Sequence, residues 1–236
     1  MNYIIAGASK GVGLALVEDC IKKDIKVFAI ARNVETLKDM KESIDSKDLL
    51  HIYQLDLTNS KKTSDLFDEI KNTIKGRSVL VNCCATWTGG KEVKEISPKD
   101  MLEAINLNFM TSYNPIYEFI NKLSFSKDLT NTIVSLGATA STRGGKKTSS
   151  FAVGKSSLRI LSQSLAKEMG PKGLHVAHII IDGLILNKRT LDLNPGLDLD
   201  KYIHMNSIIN QIHLLVDQPR DAWTLELDIR PYNETF

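Results

Sequence analysis

The chain has 236 residues, 42% of them hydrophobic and 25% charged, which is enough apolar material for one large core and too short for two ordinary domains. Thirty basic against 28 acidic side chains leave a formal net charge of +2 with no long run of like charges, so nucleic acid is not an expected partner. No apolar stretch reaches the roughly 18 residues of a membrane span and the opening MNYIIAG has no charged leader pattern, so the expectation is a cytoplasmic protein away from the membrane.

Apolar, β-rich runs alternate along the chain with segments of helical period, the pattern of a parallel sheet covered by helices on both faces. Strands are predicted at Asn2–Ala6, Lys26–Ala31, Leu50–Leu55, Val79–Cys83, Asn131–Leu136 and His175–Ile181. Helices are predicted at Val12–Lys23, Val34–Ser43, Lys61–Lys75, Pro98–Lys122 and Ser150–Met169. Pro98 suits a first turn, because a proline there removes no intrahelical bond. Thr190–Asp200, with Pro195-Gly196, reads as a loop at the mouth of a site, Tyr202–Val216 as a last helix, and Trp223–Ile229, which alternates apolar and polar residues, as an edge strand. Cys20, Cys83 and Cys84 lack metal-ligand spacing, no metal site is expected, and vicinal Cys83 and Cys84 should point to opposite faces of their strand.

The opening IIAGASKGVG places Gly7, Gly11 and Gly13 directly after a strand and before a helix. A plain β–α turn needs one glycine; three at set spacing let the backbone approach a pyrophosphate, whose charge the N-terminal N–H groups and dipole of the helix stabilise. The spacing resembles the TGxxxGxG fingerprint of the short-chain dehydrogenase/reductase family, with Ala6 in place of the threonine. That resemblance implies one Rossmann-type α/β domain over residues 1–236, a doubly wound parallel sheet of about seven strands. It also implies Ser9 and Val12 in the phosphate loop. In the family a carboxylate ending the second strand marks NAD, whereas basic residues in the loop and after that strand mark NADP. Here they are Lys10 and Arg32, which implies NADP(H) over NAD(H). Asp56 and Leu57 match the element beside the adenine, and Asn82-Cys83-Cys84-Ala85 stands where the family has NNAG.

The catalytic positions depart from the family. Asn108 and Lys155 match its asparagine and lysine, but the tyrosine four residues before the lysine is Phe151 and the serine is Ala138. An unassisted phenol titrates near ~10 and the family's lysine lowers that value; phenylalanine has no proton to give. The related enoyl reductases place their tyrosine seven before the lysine, where this chain has Thr148. The hydroxyls of Thr139, Ser141, Thr142, Ser149 and Ser150 are poorer acids than a phenol. Tyr113 reads as a core aromatic, while His175 and His178 fall on opposite faces of a strand and too deep for an acid pair. After that strand the family's PGxxxT reads Asp182-Gly183 through Asn187, whose amide can take the threonine's place toward a carboxamide. The stretch from Ser150 through Gly183 and the ending QPRDAWTLELDIRP also resemble a bacterial subgroup of short-chain reductases with FxxxK.

The resemblance implies an atypical NADP(H)-dependent oxidoreductase acting on a small carbonyl, alcohol or enone, its proton coming from water or from the substrate. A different class is a catalytically silent NADP(H)-binding protein serving as a sensor or partner subunit. Family analogy implies a homodimer or homotetramer built on the two long helices, where Leu158, Leu161 and Leu165 recur at helical spacing; the same stripe could instead face the sheet.

Overall fold

The computed structural model of the chain describes residues 1–123 and 129–234. Its strands are β1 (Asn2–Ala6), β2 (Lys26–Ala31), β3 (Leu50–Gln54), β4 (Ser78–Asn82), β5 (Asn131–Leu136), β6 (Leu174–Ile181), the two-residue β7 (Leu184–Ile185) and β8 (Tyr202–Ile203), and β9 (Glu226–Ile229). Seven of them form one parallel sheet in the order β3-β2-β1-β4-β5-β6-β9. This is the expected doubly wound α/β architecture. The order reverses between β1 and β4, and in open sheets of this kind the carboxyl ends of strands at such a switch point are where ligands bind.

The helices are α1 (Gly11–Lys22), α2 (Glu35–Ser43), α3 (Ser60–Thr73), α4 (Pro98–Ile105), α5 (Thr111–Lys122), α6 (Ser149–Met169), α7 (Lys188–Leu193) and α8 (Met205–Val216). Strand alternation divides the core between the two faces of the sheet. Tyr3, Ile5, Val27 and Ala29 pack with Leu16 and Val17 of α1, Leu37 of α2 and Ile208 and Ile212 of α8. Ile4, Phe28, Ile30 and Leu80 pack with Phe67 of α3, Phe119 of α5 and Leu158 of α6. Each fully buried aliphatic or aromatic side chain contributes about 1.5–3 kcal/mol, so a continuous run such as NYIIA is stable only between two helical layers. At the far edge, Glu226 of β9 accepts two bonds from Arg159 of α6 (2.8 Å each) and a third from Gln163, a bidentate clamp on the last strand.

Several expectations are corrected. The helix predicted over Pro98–Lys122 is two helices joined by a π turn at Asn106–Met110, which inserts an extra residue per turn and rotates the apolar face. Ser97 caps α4 in a reciprocal pair with Asp100. Thr190–Asp200 is not all loop: α7 runs to Leu193, with Asn187 accepting the Thr190 N–H at its start, and a 3-10 turn spans Leu199–Lys201. Tyr202 and Ile203 belong to β8, paired with β7, so the last helix starts at Met205. The edge strand begins at Glu226 rather than Trp223. Leu158 and Leu165 are buried against the sheet with half-buried Leu161 packed beside them, so this stripe faces inward. Tyr113 is only half-buried, stacked on Phe109 and tilted against exposed Tyr117, and belongs to neither core cluster. Among the described residues no helix is long and apolar enough to cross a membrane.

Candidate active site

Gly7 leaves β1 with φ +83°, and its N–H, like that of Ala8, donates to the Ile30 carbonyl, turning the chain back against β2. A Cβ on Gly7 would lie 3.0 Å from the Cys84 nitrogen, and one on Gly13 would lie 2.2 Å from the Gly7 carbonyl oxygen. The first residue lets the turn lie against the end of β4; the second lets α1 begin directly on top of the turn. Gly11 also has positive φ (+57°), with nothing within 4 Å of the place its Cβ would occupy. The start of α1 differs from those of α3 and α4, where Asn59 and Ser97 accept a first-turn N–H. Lys10 makes no capping bond, and the first turn of α1 carries no acidic residue. First-turn N–H groups need acceptors, and no capping side chain supplies one here, as also at α2, α6 and α8.

Around this turn lie the other expected cofactor residues. Ser9 is half-buried, Val12 is buried in the core, and Lys10 and Arg32 are exposed. Asp56 forms a turn, its Oδ1 accepting from the Thr58 N–H (2.9 Å) and hydroxyl (2.8 Å). The Thr58 N–H first, then that hydroxyl and the nearby Arg32, hold its carboxyl below the usual range despite partial burial. Leu57 is buried, and its carbonyl accepts from Asn114. Cys83 and Cys84 pack on opposite faces of the sheet, as expected. Buried Asn82 donates to the Ser135 hydroxyl (3.3 Å), and its Oδ1 has no partner among the described residues.

Asn108 sits inside the π turn, fully buried. Its Oδ1 accepts the Thr86 N–H (2.9 Å) and its Nδ2 donates to the Ala104 carbonyl (3.2 Å), which ties the loop after β4 to α4. Lys155, 2% exposed, donates from Nζ to the carbonyls of Leu136 (3.0 Å) and Cys84 (3.3 Å). Burial lowers its pKa to about 8, while Cys84 and Cys83 pull the other way. Its Nζ also lies 5.9 Å from the centre of the Phe151 ring, within cation–π range. The glycine turn and the lysine thus converge on one residue, Cys84.

Phe151 and Ala138 line a cleft of about 290 Å3 together with Trp87, Thr139, Arg143 and Gly183. At these two positions the wall offers a ring and a methyl, with no hydroxyl. Thr139 provides the next hydroxyl, and it donates to Oδ1 of Asp182, a carboxylate also facing Arg230 at 3.7 Å. The other hydroxyls considered in the sequence are engaged or lie elsewhere. Ser141 accepts the Ala138 N–H, Thr142 donates to the Thr139 carbonyl, and Ser150 donates to the Thr88 carbonyl. The Thr148 hydroxyl donates to the Gly145 carbonyl, and the buried Ser149 hydroxyl has no partner among the described residues.

His175 stacks on Trp223 on one face of the sheet. His178, on the other, is buried with burial pushing its pKa down to about 4, so it is neutral at pH 7. Gly183 lies in the cleft wall, but Asn187 is engaged at both ends of its amide. It accepts from Thr190 and donates to the Ile185 carbonyl (2.9 Å), so capping α7 is its structural task.

Sequence reasoning missed Trp87, Arg143 and the Thr139–Asp182 pair. Trp87 and Arg143 come from different loops, and periodicity says nothing about how loops meet. The available signal was local: a tryptophan before Gly89-Gly90 and an arginine before Gly144-Gly145, aromatic and cationic side chains beside mobile-looking glycine pairs after two strands.

Comparisons with known proteins bear on this geometry. A family profile described as short chain dehydrogenase matches residues 2–186. Carbonyl reductase family member 4 of Xenopus laevis is 23% identical over 220 residues, covering 91% of this chain and 90% of its own. Two solved structures share the fold. The NADPH-bound short chain oxidoreductase of Pseudomonas aeruginosa PAO1, described as containing an atypical catalytic center, has a TM-score of 0.84 at 18% identity, over 100% of this chain and 97% of its own. The NADPH-bound ElxO variant with tyrosine changed to phenylalanine has a TM-score of 0.83 at 20% identity, over 96% of each chain. With the profile spanning well over half of the residues, and the glycine turn, buried Asn108 and buried Lys155 all within that span, this chain belongs to the short-chain dehydrogenase family.

Proposed function

We propose that the chain is an NADP(H)-dependent oxidoreductase of this family that works without a tyrosine proton donor. The observation that carries the reading is the convergence on Cys84: a glycine turn whose Gly7 and Gly13 leave no room for a Cβ, and a buried lysine donating to the same residue's carbonyl. The residues fit a dinucleotide. Gly7, Gly11, Gly13 and the uncapped start of α1 would hold the pyrophosphate, Lys10 and Arg32 an extra phosphate, and Lys155 the ribose next to the nicotinamide. The neighbours bound to NADPH agree with that fit, and one of them carries phenylalanine in place of a tyrosine.

A bound nicotinamide supplies a hydride donor or acceptor. The chain's own residues supply position. Asn108 pins the loop bearing Thr86 and Trp87, while Lys155 keeps a cation beneath the cleft at neutral pH. Phe151 and Ala138 exclude water from one wall and carry no exchangeable proton. The proton of a carbonyl reduction must then come from solvent or from the substrate itself.

The same two residues favour a second reading, a cofactor-binding protein without turnover. A panel of carbonyl and enone compounds with NADPH separates the two when run beside Phe151→Tyr. Turnover by the natural chain supports the enzyme. Silence, with turnover appearing in Phe151→Tyr, supports the silent binder, since a positioned acid is worth about 10²–10⁴-fold.

A further inference from the structure

The cleft beside Phe151 carries a recognition chemistry of its own. The rings of Trp87 and Phe151 lie 5.2 Å apart at 52°, a tilted pair that makes one wall aromatic, and Ala138, Ala140 and Ile181 extend that apolar surface. The hydroxyls of the opposite wall are engaged within the protein, Thr139 to Asp182 and Thr148 to the Gly145 carbonyl. Among the described residues, the charged side chain lining the cleft is Arg143. It is exposed, and no described carboxylate forms an ion pair with it.

Arg143 stands on an anchored loop. Gly90 donates its N–H to the Lys147 carbonyl at 2.7 Å, the Gly145 N–H donates to the Thr148 hydroxyl at 2.8 Å, and Lys147 is held at φ +61°. A lysine in the left-handed region persists only where the surroundings over-determine it. Lys146 and Lys147 follow on the same lip, also exposed and without a carboxylate partner among the described residues. The cleft therefore combines a pinned cationic lip with an aromatic wall, in a volume of about 290 Å3 that fits one ring and a short chain.

We propose that the substrate is a small aromatic carboxylate, its ring against Trp87 and Phe151 and its carboxylate on the guanidinium of Arg143. This names the substrate class of the oxidoreductase proposed above and rests on that reading. A guanidinium pairs a carboxylate through two parallel N–H bonds, and the apolar wall beside it strengthens the pair by excluding water.

The test is calorimetric titration of the NADPH-saturated protein with 3-phenylpropionate and, separately, with its neutral amide. The acid is expected to bind at least about tenfold tighter than the amide. Arg143→Ala should remove that preference and Arg143→Lys should recover part of it, because an ammonium keeps the charge and loses the fork. Trp87→Ala should weaken acid and amide alike. Equal affinity for the two compounds, an unchanged preference in Arg143→Ala, or no binding of either at millimolar concentration overturns the proposal. Titrating NADPH into the natural chain, and the acid and amide into the cofactor-free protein, keeps the two readings apart. No NADPH binding sinks the oxidoreductase reading and with it the substrate role, even if the carboxylate preference persists; intact NADPH binding with no acid preference sinks this proposal alone.

Discussion

Replacing Gly13 by alanine tests the phosphate turn at its tightest point. The new Cβ would lie 2.2 Å from the Gly7 carbonyl oxygen, 3.0 Å from its carbon and 3.2 Å from the Ala8 Cα. Ordinary contact begins at 3.4 Å, and all three neighbours are backbone atoms that cannot rotate away, so the start of α1 must move off β1 by about 1 Å. Overpacking of this kind costs about 1–3 kcal/mol, and the better helix propensity of alanine returns up to about 1 kcal/mol. The expected net loss is about 1–2 kcal/mol of unfolding free energy, a sizeable part of the ~5–15 kcal/mol typical of a domain. The same shift withdraws the first-turn N–H groups from a phosphate, and a loss of about 1.4 kcal/mol there is tenfold in affinity. Gly11→Ala is the control: it meets nothing within 4 Å but keeps φ +57°, so it costs about 1–2 kcal/mol of backbone strain without moving α1. Urea unfolding and NADPH titration of both variants read the two effects. A Gly13→Ala protein that unfolds at the parental midpoint and binds NADPH like the parent would refute the argument.

Two other predictions concern charge. Lys155 has a pKa of about 8 in the fold against 10.5 in the unfolded chain, so between those pH values the unfolded state binds more protons. Its contribution to stability therefore rises as pH increases from about 8 to 10.5, by on the order of 3 kcal/mol. Lys155→Met should remove that contribution, leaving stability to fall more steeply between pH 8 and 10.5 than in the parent, because burial raises the Cys84 and Cys20 thiols and these pull the other way; a variant with the parental slope in denaturant titrations of the cofactor-free protein would contradict it. Arg32→Ala and Lys10→Ala should each weaken NADPH by about tenfold and leave NADH nearly unchanged, as a contact to the extra phosphate requires; equal losses for both nucleotides in competition titrations would argue against that role.

The sheet and the phosphate turn were legible because their signals are local. A strand buried on both faces reads as a continuous apolar run, and Gly7, Gly11 and Gly13 sit at the strand-to-helix junction where backbone sterics demand them. Strand ends shifted by a residue or two, as at β4, where Ser78 pairs with Asn2. The π turn around Asn108 was not legible, since one extra residue per turn changes the direction of the helical face without breaking its period. Asn187 followed by Thr190 was a readable helix cap, but the family pattern drew attention to its amide as a ligand instead. The inward direction of Leu158 and Leu165 was undecidable from spacing, because a stripe facing a sheet and a stripe facing a partner have the same period. The cleft depended on Trp87 meeting Phe151 across loops, information held only in the tertiary fold.

The most direct test of the account is a calorimetric titration of the purified protein with NADPH and with NADH. Saturable binding of both is expected, with NADPH at least about tenfold tighter because Lys10 and Arg32 flank the turn. Absence of binding by either nucleotide would contradict it and leave the α/β architecture without the chemistry assigned to it.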